Sequence, residues 1–294
     1  MPIERITILG TGLIGASVGL ALRSRGFAGT ITGWDPDADE LAAAEASGAI
    51  HLIAGDPVQA ARESQLILLS GPVFTILEWL DRLAPVLQSG QLVTDVGSVK
   101  SAICEAARTR YNLVHTAGFL AGHPMAGKEV SGAANADGNL FEGAAWLFTE
   151  TPESRSMHPA SRALAAEWRA WPEKFGCRVL DLDPARHDVL CAWVSHLPQY
   201  LSTALSALLE DEFPVKDEVL AIGGRALREM TRLGASPFSM WRDVAHTNTE
   251  AVAASLLALE QRIAHLRENL KTPELRDEFE KANRFRASEY FRKR

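Results

Sequence analysis

A glycine-rich turn near the N-terminus is the feature that most constrains this chain. Ile6–Leu9 is a short apolar run typical of a buried parallel strand, and Gly10-Thr11-Gly12-Leu13-Ile14-Gly15 follows it in the pattern G-x-G-x-x-G. In that pattern Gly10 permits a tight turn, Gly12 lets a pyrophosphate approach the backbone, and Gly15 lets the next helix pack on the strand. The free N–H groups at the start of that helix attract phosphate. We therefore predict a dinucleotide site that uses Gly10, Gly12, Leu13, Ile14 and Gly15.

The next predicted strand favours NAD as the dinucleotide. Ile31–Trp34 ends at Asp35, twenty residues beyond Gly15, the offset at which a carboxylate binds the ribose hydroxyls of NAD. No arginine follows within residues 36–40 to hold a 2′-phosphate, so NAD is favoured over NADP. Without this acid the glycine turn could be an ordinary strand–helix connection. A further strand, Leu66–Leu69, ends at Ser70-Gly71-Pro72, and we place Ser70, Gly71 and Pro72 at the cofactor because ligands bind at the carboxyl edge of a parallel sheet.

Length, composition and charge exclude several classes of protein. The chain has 294 residues, of which 47% are hydrophobic, so it can fill the cores of two domains. Its net charge of −7 argues against nucleic acid as the main partner. No apolar run approaches the roughly eighteen residues that a membrane span needs, and the N-terminus enters the first strand directly. The three cysteines show no C-x-x-C spacing. We therefore expect a cytoplasmic protein with reduced thiols, no disulfide and no metal site.

The secondary-structure pattern divides the chain into two halves. Strand patterns alternate with helical ones as far as Arg178–Leu182, which predicts an α/β, Rossmann-type, doubly wound parallel sheet in residues 1–182. Residues 183–294 read as an all-α domain that binds substrate and dimerises. Its predicted helices are Pro184–Leu209, Val215–Met230, Phe238–Leu270 and Pro273–Phe291.

One helix of the second half predicts a homodimer. Its apolar positions make a face too hydrophobic for solvent, and they are Leu256, Leu257, Leu259, Ile263 and Leu266. The alternative is a monomer whose helices bury only each other.

His123 is the strongest candidate for a catalytic base. Oxidation of a carbinol by hydride transfer needs a group that takes the hydroxyl proton, and an imidazole with an ordinary pKa of about 6.5 is neutral at cell pH. We place His123 in a rigid loop between Gly122 and Pro124, just after a predicted strand. The alternative is a histidine that only bonds loop backbone. Ser98 follows another strand and could cap the next helix, touch the substrate hydroxyl, or do both.

The helical half adds further candidates. Pro198 interrupts the helix that carries Ser195 and His196, and an interior proline costs about 3 kcal/mol, so we expect a kink that aims both side chains into a cleft. Arg232 lies in a loop between helices, where its guanidinium could bind a carboxylate through two hydrogen bonds. The alternative for Arg232 is a surface ion pair. The other histidines are interpreted as structural or solvated: His51, His115, His158, His187, His246 and His265.

Taken in order, these motifs resemble the prephenate/arogenate (cyclohexadienyl) dehydrogenase family of tyrosine biosynthesis. The first two blocks, the glycine turn and Asp95-Val96-Gly97-Ser98-Val99-Lys100, occur in other Rossmann enzymes as well. The later blocks are specific together: Gly122-His123-Pro124-Met125-Ala126-Gly127 with Glu129 and Ser131-Gly132, then Ser195-His196-Leu197-Pro198, then Thr231-Arg232 followed by Ser236-Pro237 and Met240-Trp241.

The resemblance implies an activity and a set of roles. The expected reaction is oxidative decarboxylation of prephenate or arogenate with NAD, without a metal. His123 would take the proton of the ring hydroxyl, and Ser98 would hold that hydroxyl and the nicotinamide. Arg232 would bind the ring carboxylate, while Ser195 and His196 would lie near the substrate's side chain.

Two more positions follow from the same resemblance. Glu129 would belong to a polar network at the mouth of the site. Gln199 stands where many relatives carry a second histidine, and we expect it to contact substrate and to bear on selectivity for the side chain. The sequence leaves prephenate and arogenate both open.

Two other functions remain open at the level of sequence. One is another NAD(P) oxidoreductase with a Rossmann and a helical domain, of the β-hydroxyacid dehydrogenase or imine reductase type. Those enzymes place a catalytic lysine or aspartate on the first helix after the Rossmann domain, where this chain has Ser195 and His196. The other is an NAD sensor without catalysis, which would have no use for a base, an arginine and a proline-kinked helix together.

Overall fold

The computed structural model describes residues 2–113, 115–215 and 217–288. The strands of this part of the chain are β1 (Arg5–Leu9), β2 (Thr30–Trp34), β3 (Leu52–Ile53), β4 (Leu66–Leu69), β5 (Leu92–Asp95), β6 (Gly118–Pro124), β7 (Ala145–Thr149) and β8 (Arg178–Asp181). They form one sheet in the order β3-β2-β1-β4-β5-β6-β7-β8. The first six have the strand order of a dinucleotide-binding fold, so the predicted fold class is confirmed.

One pair of strands departs from the expected parallel arrangement. Every pairing from β3 across to β6 is parallel, but β7 runs antiparallel to β6, and β8 is then parallel to β7. The residues of β7 predict a strand but do not indicate whether it runs parallel or antiparallel to its neighbour. The sequence therefore did not reveal this reversal. Because β1, β2, β4, β5 and β6 are parallel, their carboxyl ends lie along a single edge of the sheet.

Helices cover both faces of the sheet. They are α1 (Leu13–Ser24), α2 (Ala38–Ala46), α3 (Pro57–Glu63), α4 (Val73–Leu83), α5 (Ser101–Arg108) and α6 (Pro159–Lys174). Successive side chains of β4 belong to different hydrophobic clusters: Leu66 and Leu68 to one, Ile67 and Leu69 to the other. Since neighbouring side chains of a strand point to opposite faces, the uninterrupted apolar run of β4 reflects burial on both faces.

The remainder of the described chain is helical, as expected. Its α-helices are α7 (Pro184–Cys191), α8 (Leu197–Glu212), α9 (Asp217–Ile222), α10 (Arg225–Thr231), α11 (Phe238–Thr247), α12 (Thr249–Glu268) and α13 (Pro273–Arg286). A π-helical turn, Ala192–His196, precedes α8, and a 3₁₀ turn, Arg232–Ala235, follows α10.

Two of the predicted long helices are broken. Gly223 and Gly224 separate α9 from α10, and Asn248, with φ near −132°, separates α11 from α12. Glycine is a poor helix former, which explains the first break. The second break frees the Asn248 side chain for contacts described below. The predicted end of the last helix at Phe291 lies outside the described residues.

By its internal contacts the chain forms two compact units, which meet between Thr249 and Glu250. The first unit contains the sheet and also α7–α11. The second consists of the rest of α12 and α13, which are tied by an ion pair of 2.6 Å between Arg262 and Glu278. The division at residues 182 and 183, drawn from the change in secondary structure, follows a different criterion and stays a prediction. No helix within the described ranges is both long and apolar enough to cross a membrane.

Candidate active site

Two glycines of the N-terminal turn are required by close backbone contacts. Gly10 has φ near +99°, and a Cβ there would lie 2.1 Å from the carbonyl oxygen of Ser70. A Cβ on Gly15 would lie 2.0 Å from the carbonyl oxygen of Gly10. Neither position can hold a side chain unless β1, β4 and α1 move apart.

Gly12 has a different role. A Cβ on Gly12 would meet nothing within 4 Å, so the protein itself does not require glycine there. Gly12 is the N-cap of α1, and no side chain caps this helix end, whose first residues are the half-buried Leu13 and Ile14. Open space above uncapped N–H groups is what a pyrophosphate needs, so these residues fit the dinucleotide that the motif predicts.

Asp35 lies beside the glycine turn. One carboxylate oxygen accepts a hydrogen bond of 2.8 Å from the backbone N–H of Thr11, and the other accepts one of 3.1 Å from the N–H of Asp37. These bonds fix the carboxylate at the carboxyl end of β2, as binding of a ribose requires. At the end of β4, Ser70 and Gly71 are half-buried and Pro72, which is exposed, begins α4.

A buried ion pair fixes the backbone next to His123. Asp95, at the end of β5, pairs with the ammonium of Lys100, and both side chains are fully buried. Asp95 accepts a hydrogen bond of 3.1 Å from the N–H of Gly122, while Lys100 donates one of 2.7 Å to the carbonyl of Gly122. Both polar groups of Gly122 are therefore held, and the direction of the following side chain is set by β5 and the segment after it.

His123 lies within strand β6 and not in a loop after a strand, which corrects the sequence-based placement. It pairs with Leu147 of β7 and is only 8% exposed. Its Nδ1 is 2.9 Å from Nε2 of His187 on α7, and Nδ1 of His187 is 2.9 Å from a carboxylate oxygen of Asp188. Three side chains thus form one hydrogen-bonded chain that ends at the carboxyl edge of the sheet.

The pKa values of these three hydrogen-bonded side chains favour neutral imidazoles. Burial lowers the pKa of His123 well below its ordinary value of 6.5, and the neighbouring His187 and the Lys100 ammonium lower it further. Burial also lowers the pKa of His187, although the hydrogen bond to Asp188 opposes this. Burial alone would raise the pKa of the Asp188 carboxyl, but hydrogen bonds from His187, Ser101 and Lys100 outweigh it and the pKa falls. The stable arrangement is an ionised Asp188 with two neutral histidines.

Cys191, on α7, lies against the same two imidazoles. Its sulfur is 3.6 Å from Nε2 of His187 and 3.9 Å from Nδ1 of His123, so the three donor atoms could be offered to one soft metal ion. The sequence did not predict this group, because its members come from β6 and α7. Two imidazole nitrogens on one tetrahedral zinc would be about 3.3–3.4 Å apart. The 2.9 Å between His123 and His187 is the distance of a hydrogen bond, and we interpret the contact as one.

The π-helical turn places His196 in the same region. Pro198 has no N–H for the helix ladder, and the wider turn of residues 192–196 accommodates it, so the expected interruption is present. His196 is fully buried, and its Nδ1 lies 3.3 Å from the side-chain amide of Asn248, which also donates to the Asp188 carbonyl at 2.9 Å. Since the amide donates to Nδ1, the proton of the neutral ring is on Nε2, which has no hydrogen-bond partner among the described residues.

Burial lowers the pKa of His196 to about 4, and the charge of Asp188 and the backbone of Ser98 oppose this only in part. His196 is therefore neutral at pH 7. Ser98, in the segment that follows β5, and Ser195, on the π-helical turn, are both half-buried. Ser98 thus lies on the edge where His123 ends the chain of hydrogen bonds.

Arg232 and Glu129 form an ion pair of 2.9 Å, with the Arg232 side chain 52% exposed. The pair joins the 3₁₀ turn after α10 to the segment after β6. It also contributes, with a backbone hydrogen bond as the larger cause, to a lowered pKa of Glu129. Among the described residues no hydrogen bond joins Arg232 to His123. That the two converge on one substrate stays a prediction.

The side-chain amide of Gln199 forms hydrogen bonds within the protein. Its amide nitrogen donates to the Leu233 carbonyl at 2.7 Å and to the Thr203 hydroxyl at 3.2 Å, and its amide oxygen accepts from the Ser236 hydroxyl at 3.1 Å. These bonds tie α8 to the turn that carries Arg232. Both N–H groups of the amide are used within the protein, and a direct contact of Gln199 with substrate stays a prediction.

The sequence missed several residues of the site. His187 was interpreted as structural or solvated, and no role was assigned to Asp188 or Asn248. A His-Asp pair one turn into a helix that begins at Asp183-Pro184 is a weak signal, and no spacing rule connects it to His123. Their proximity arises only when α7 packs on α5 and β6.

Comparison with known proteins now places the chain. Residues 18–165 match the family model "Prephenate dehydrogenase, nucleotide-binding domain", and residues 183–285 match "Prephenate dehydrogenase, dimerization domain". Prephenate dehydrogenase of Lactococcus lactis is 33% identical over 254 residues, which cover 84% of this chain and 66% of that protein. The chain therefore spans just under two thirds of the length of that relative.

Solved structures agree over nearly the whole length. Prephenate dehydrogenase from A. aeolicus, in complex with hydroxyphenyl propionate and NAD⁺, has a TM-score of 0.83 and 27% identity, with 97% of this chain and 98% of that chain covered. Arogenate dehydrogenase from Synechocystis has a TM-score of 0.73 and 29% identity, with 96% and 98% covered. With both domain models matched in chain order, the chain belongs to the prephenate dehydrogenase family.

Proposed function

We propose that this protein oxidises a cyclohexadienyl acid, prephenate or arogenate, with NAD, and that loss of carbon dioxide follows to give the aromatic product. The observation that carries the proposal is the match to both domains of the prephenate dehydrogenase family, in order, along one chain. The structure from A. aeolicus with NAD⁺ and the Synechocystis arogenate dehydrogenase support the cofactor and the class of substrate.

The glycine turn and Asp35 would hold the cofactor. The uncapped start of α1 offers N–H groups to the pyrophosphate, and the oriented Asp35 carboxylate accepts hydrogen bonds from the adenosine ribose. When bound, NAD⁺ supplies the acceptor for the hydride of the ring carbon that bears the hydroxyl. A negative carboxylate at this position disfavours a 2′-phosphate, so NAD is preferred over NADP.

His123 is the proton acceptor in this proposal. It takes the proton of the ring hydroxyl while the carbon loses hydride, and a ketone forms whose conjugated ring double bonds adjoin the carbon that bears the carboxylate. Carbon dioxide then leaves, because its bonding electrons move into that carbonyl and the ring becomes aromatic. Ser98, on the same edge of the sheet, holds the hydroxyl in place for this transfer.

Arg232 and His196 are proposed to bind the polar groups of the substrate. Arg232 is half exposed and keeps further N–H donors beside its bond to Glu129, so it can accept a carboxylate as a second partner. His196 offers its unpaired Nε2–H to the substrate's side chain, near Ser195. Gln199 acts one step away, because its bonds fix the turn on which Arg232 sits.

The decisive assay follows the formation of NADH or NADPH with four pairs of reactants: prephenate or arogenate, each with NAD or NADP. We expect turnover with NAD on at least one of the two substrates and a lower kcat/KM with NADP. Turnover on a β-hydroxy acid without activity on either cyclohexadienyl substrate would assign the chain another reaction. Binding of NAD without turnover of any of these compounds would indicate a sensor.

We further propose that the protein is a homodimer formed through its helical part. The match to a dimerization domain supports this, and so do the five apolar residues of α12 named above, none of which is buried within the single chain. Sedimentation equilibrium should give twice the mass of the 31.9 kDa chain. Replacement of both Leu257 and Ile263, which are 54% and 51% exposed, by glutamate should shift the protein to monomer. A wild-type protein that sediments as a monomer at micromolar concentration would contradict the proposal.

A further inference from the structure

We propose that His187 and Asp188 are positioning residues that decide which nitrogen of His123 carries the proton. They place it on Nδ1 and leave the lone pair of Nε2 for the substrate. The inference rests on the proposed role of His123 as the base. It adds the statement that the base is prepared by a chain of hydrogen bonds from α7.

The chain is anchored at Asp188. One carboxylate oxygen accepts from the backbone N–H of Lys100 at 2.7 Å, and the other accepts from the N–H of Ser101 at 2.8 Å. Both donors precede or begin α5, where N–H groups lack partners within the helix. These bonds favour the charged carboxylate, and an ionised carboxylate can only accept. Its position and its role as an acceptor are therefore fixed before any histidine is considered.

The acceptor at Asp188 determines the tautomer of His187. Nδ1 of His187 lies 2.9 Å from the carboxylate, so this nitrogen must carry the proton. His187 is fully buried and neutral, which means that it has a single ring proton. Its Nε2 is therefore an acceptor, and it faces Nδ1 of His123 at 2.9 Å.

The tautomer of His187 in turn determines which nitrogen of His123 carries the proton. A hydrogen bond between the two rings needs one donor, and since His187 offers a lone pair, Nδ1 of His123 must donate. The remaining nitrogen, Nε2, then has a free lone pair. The reverse order, with protons on both Nε2 atoms, would require Asp188 to be protonated, against the two backbone hydrogen bonds from Lys100 and Ser101 that favour its charged form.

The other charged or titratable groups around this chain do not compete for its protons. Asp95 and Lys100 neutralise each other as a buried pair. Burial and the charge of Asp188 raise the pKa of the Cys191 thiol to about 12, so its sulfur stays protonated. His196 is neutral, and its Nδ1 already accepts from Asn248. Asp188 is thus the one group of this set that sets the direction of the chain.

The first test is Asp188→Asn. The Asp188 oxygen that faces Nδ1 of His187 also accepts from the N–H of Lys100. An amide nitrogen in its place donates to His187 and gives up the bond from Lys100, while the amide oxygen accepts from the N–H of Ser101. His187 would then carry its proton on Nε2 and donate to His123, so that the lone pair of His123 faces away from substrate. We expect kcat to fall by about 10²–10⁴-fold, the range that general-base catalysis contributes, with KM and NAD affinity nearly unchanged. Nitrogen-15 NMR of histidine-labelled enzyme should show that the proton of His123 moves from Nδ1 to Nε2.

A pair of substitutions at position 187 separates tautomer control from packing. In His187→Gln the amide nitrogen can donate to Asp188 while the oxygen accepts from His123, so the variant should retain much of kcat and the wild-type tautomer. In His187→Leu both bonds are lost and kcat should fall as in Asp188→Asn. Cys177→Ala alters another buried cysteine, whose thiol donates to the Phe141 carbonyl and not to either imidazole, and it should leave kcat close to wild type. Thermal melting of each variant shows which ones are folded.

The outcomes distinguish this inference from the proposed function. If His123→Asn abolishes turnover but folded Asp188→Asn and His187→Leu keep wild-type kcat, the positioning role is wrong and the assignment of the base stands. If His123→Asn itself keeps turnover, the base is another group and the proposed mechanism fails. If His187→Gln loses as much as His187→Leu, although it is folded, a second titrating imidazole is required instead of an acceptor.

Discussion

The role proposed for His123 requires a neutral imidazole when substrate binds, and its surroundings favour that form. Burial is the main cause of its lowered pKa, and the Lys100 ammonium contributes in the same direction. Lys100 and Asp95 also hold both polar groups of Gly122, so the same pair that helps to set the charge also sets the direction of the side chain. At the scale of residues, therefore, electrostatics and position have a common origin in the segment after β5.

His123→Asn should keep the binding of both substrate and NAD and lose most of the turnover. Asparagine can still form a hydrogen bond but cannot take a proton, so we expect kcat to fall by about 10²–10⁴-fold. Steady-state kinetics and a titration of NAD measure the two properties separately. His115→Asn, at an exposed position before β6, serves as the matched control. An unchanged kcat in His123→Asn would remove the proposed base.

Among single residues, the sequence identified those with a local signature. The three glycines and Asp35 were predictable because a fixed spacing reflects one compact turn. His187, Asp188 and Asn248 were not, because their roles depend on contacts with residues distant in the chain. A local pattern can predict a nucleotide loop, whereas a chain of hydrogen bonds between β6 and α7 becomes visible only after packing.

At the scale of elements, the glycines of α1 and of the turn before it serve two purposes: one allows close packing within the protein, and another leaves space for a ligand. Gly15 allows the helix to approach the turn, while Gly12 faces open space. The sequence motif cannot reveal this difference, because it has a glycine at both positions.

Gly12→Ala and Gly15→Ala should therefore behave differently. A methyl group on Gly15 would collide with the Gly10 carbonyl, and we expect a loss of about 1–3 kcal/mol in the free energy of unfolding. A methyl group on Gly12 meets no protein atom, so stability should hold while the KM for NAD rises. Denaturant unfolding without cofactor and kinetics with varied NAD would test both. Equal destabilisation by the two substitutions would contradict the division of roles.

The contact between α8 and the 3₁₀ turn gives a second prediction. Gln199→Met preserves the volume of the side chain but removes its bonds to Leu233, Thr203 and Ser236. If Gln199 positions the turn of Arg232, the KM for substrate should rise by about 5- to 150-fold, for a loss of about 1–3 kcal/mol, with little change in kcat. Ser236→Ala, which removes one of the three bonds, should have a smaller effect. A KM that is unchanged in Gln199→Met would show that the turn is held by other contacts.

For whole elements, the apolar runs of the strands and the start of α1 were predicted well. The direction of β7 and the break at Asn248 were not, since composition does not encode either. Pro198 did signal an interruption, but the form that it takes, a π-helical turn ahead of the proline, depends on the buried contacts of His196.

At the scale of the whole molecule, three buried histidines link stability to pH. His123, His187 and His196 all have pKa values that are lower in the folded protein than the ordinary 6.5. The unfolded chain therefore binds protons first as the pH falls. The stabilisation from the neutral rings is complete above about pH 6.5 and is lost progressively as the pH decreases below it.

We expect the urea concentration at the midpoint of unfolding to decrease as the pH is lowered from 7.5 to 5. For His196, the shift from 6.5 to about 4 corresponds to roughly 3 kcal/mol once the pH is below both values. His196→Asn should lower stability at neutral pH and flatten the dependence on pH, which distinguishes this group from the carboxylates that titrate further down. A stability that is constant from pH 7.5 to pH 5 would contradict the linkage.

Carboxylates on α7 and α11 accept hydrogen bonds from the backbone of the sheet half, and this affects how the protein can be divided. Asp188 accepts from the backbone before and at the start of α5, and the fully buried Asp243 accepts from the N–H of Phe74 at the start of α4. A fragment that stops at residue 182 would keep the whole nucleotide loop but expose two helix ends with unsatisfied donors. We therefore expect a transplant of the nucleotide-binding half to be more stable when it carries the chain through α11, because both carboxylates are then retained.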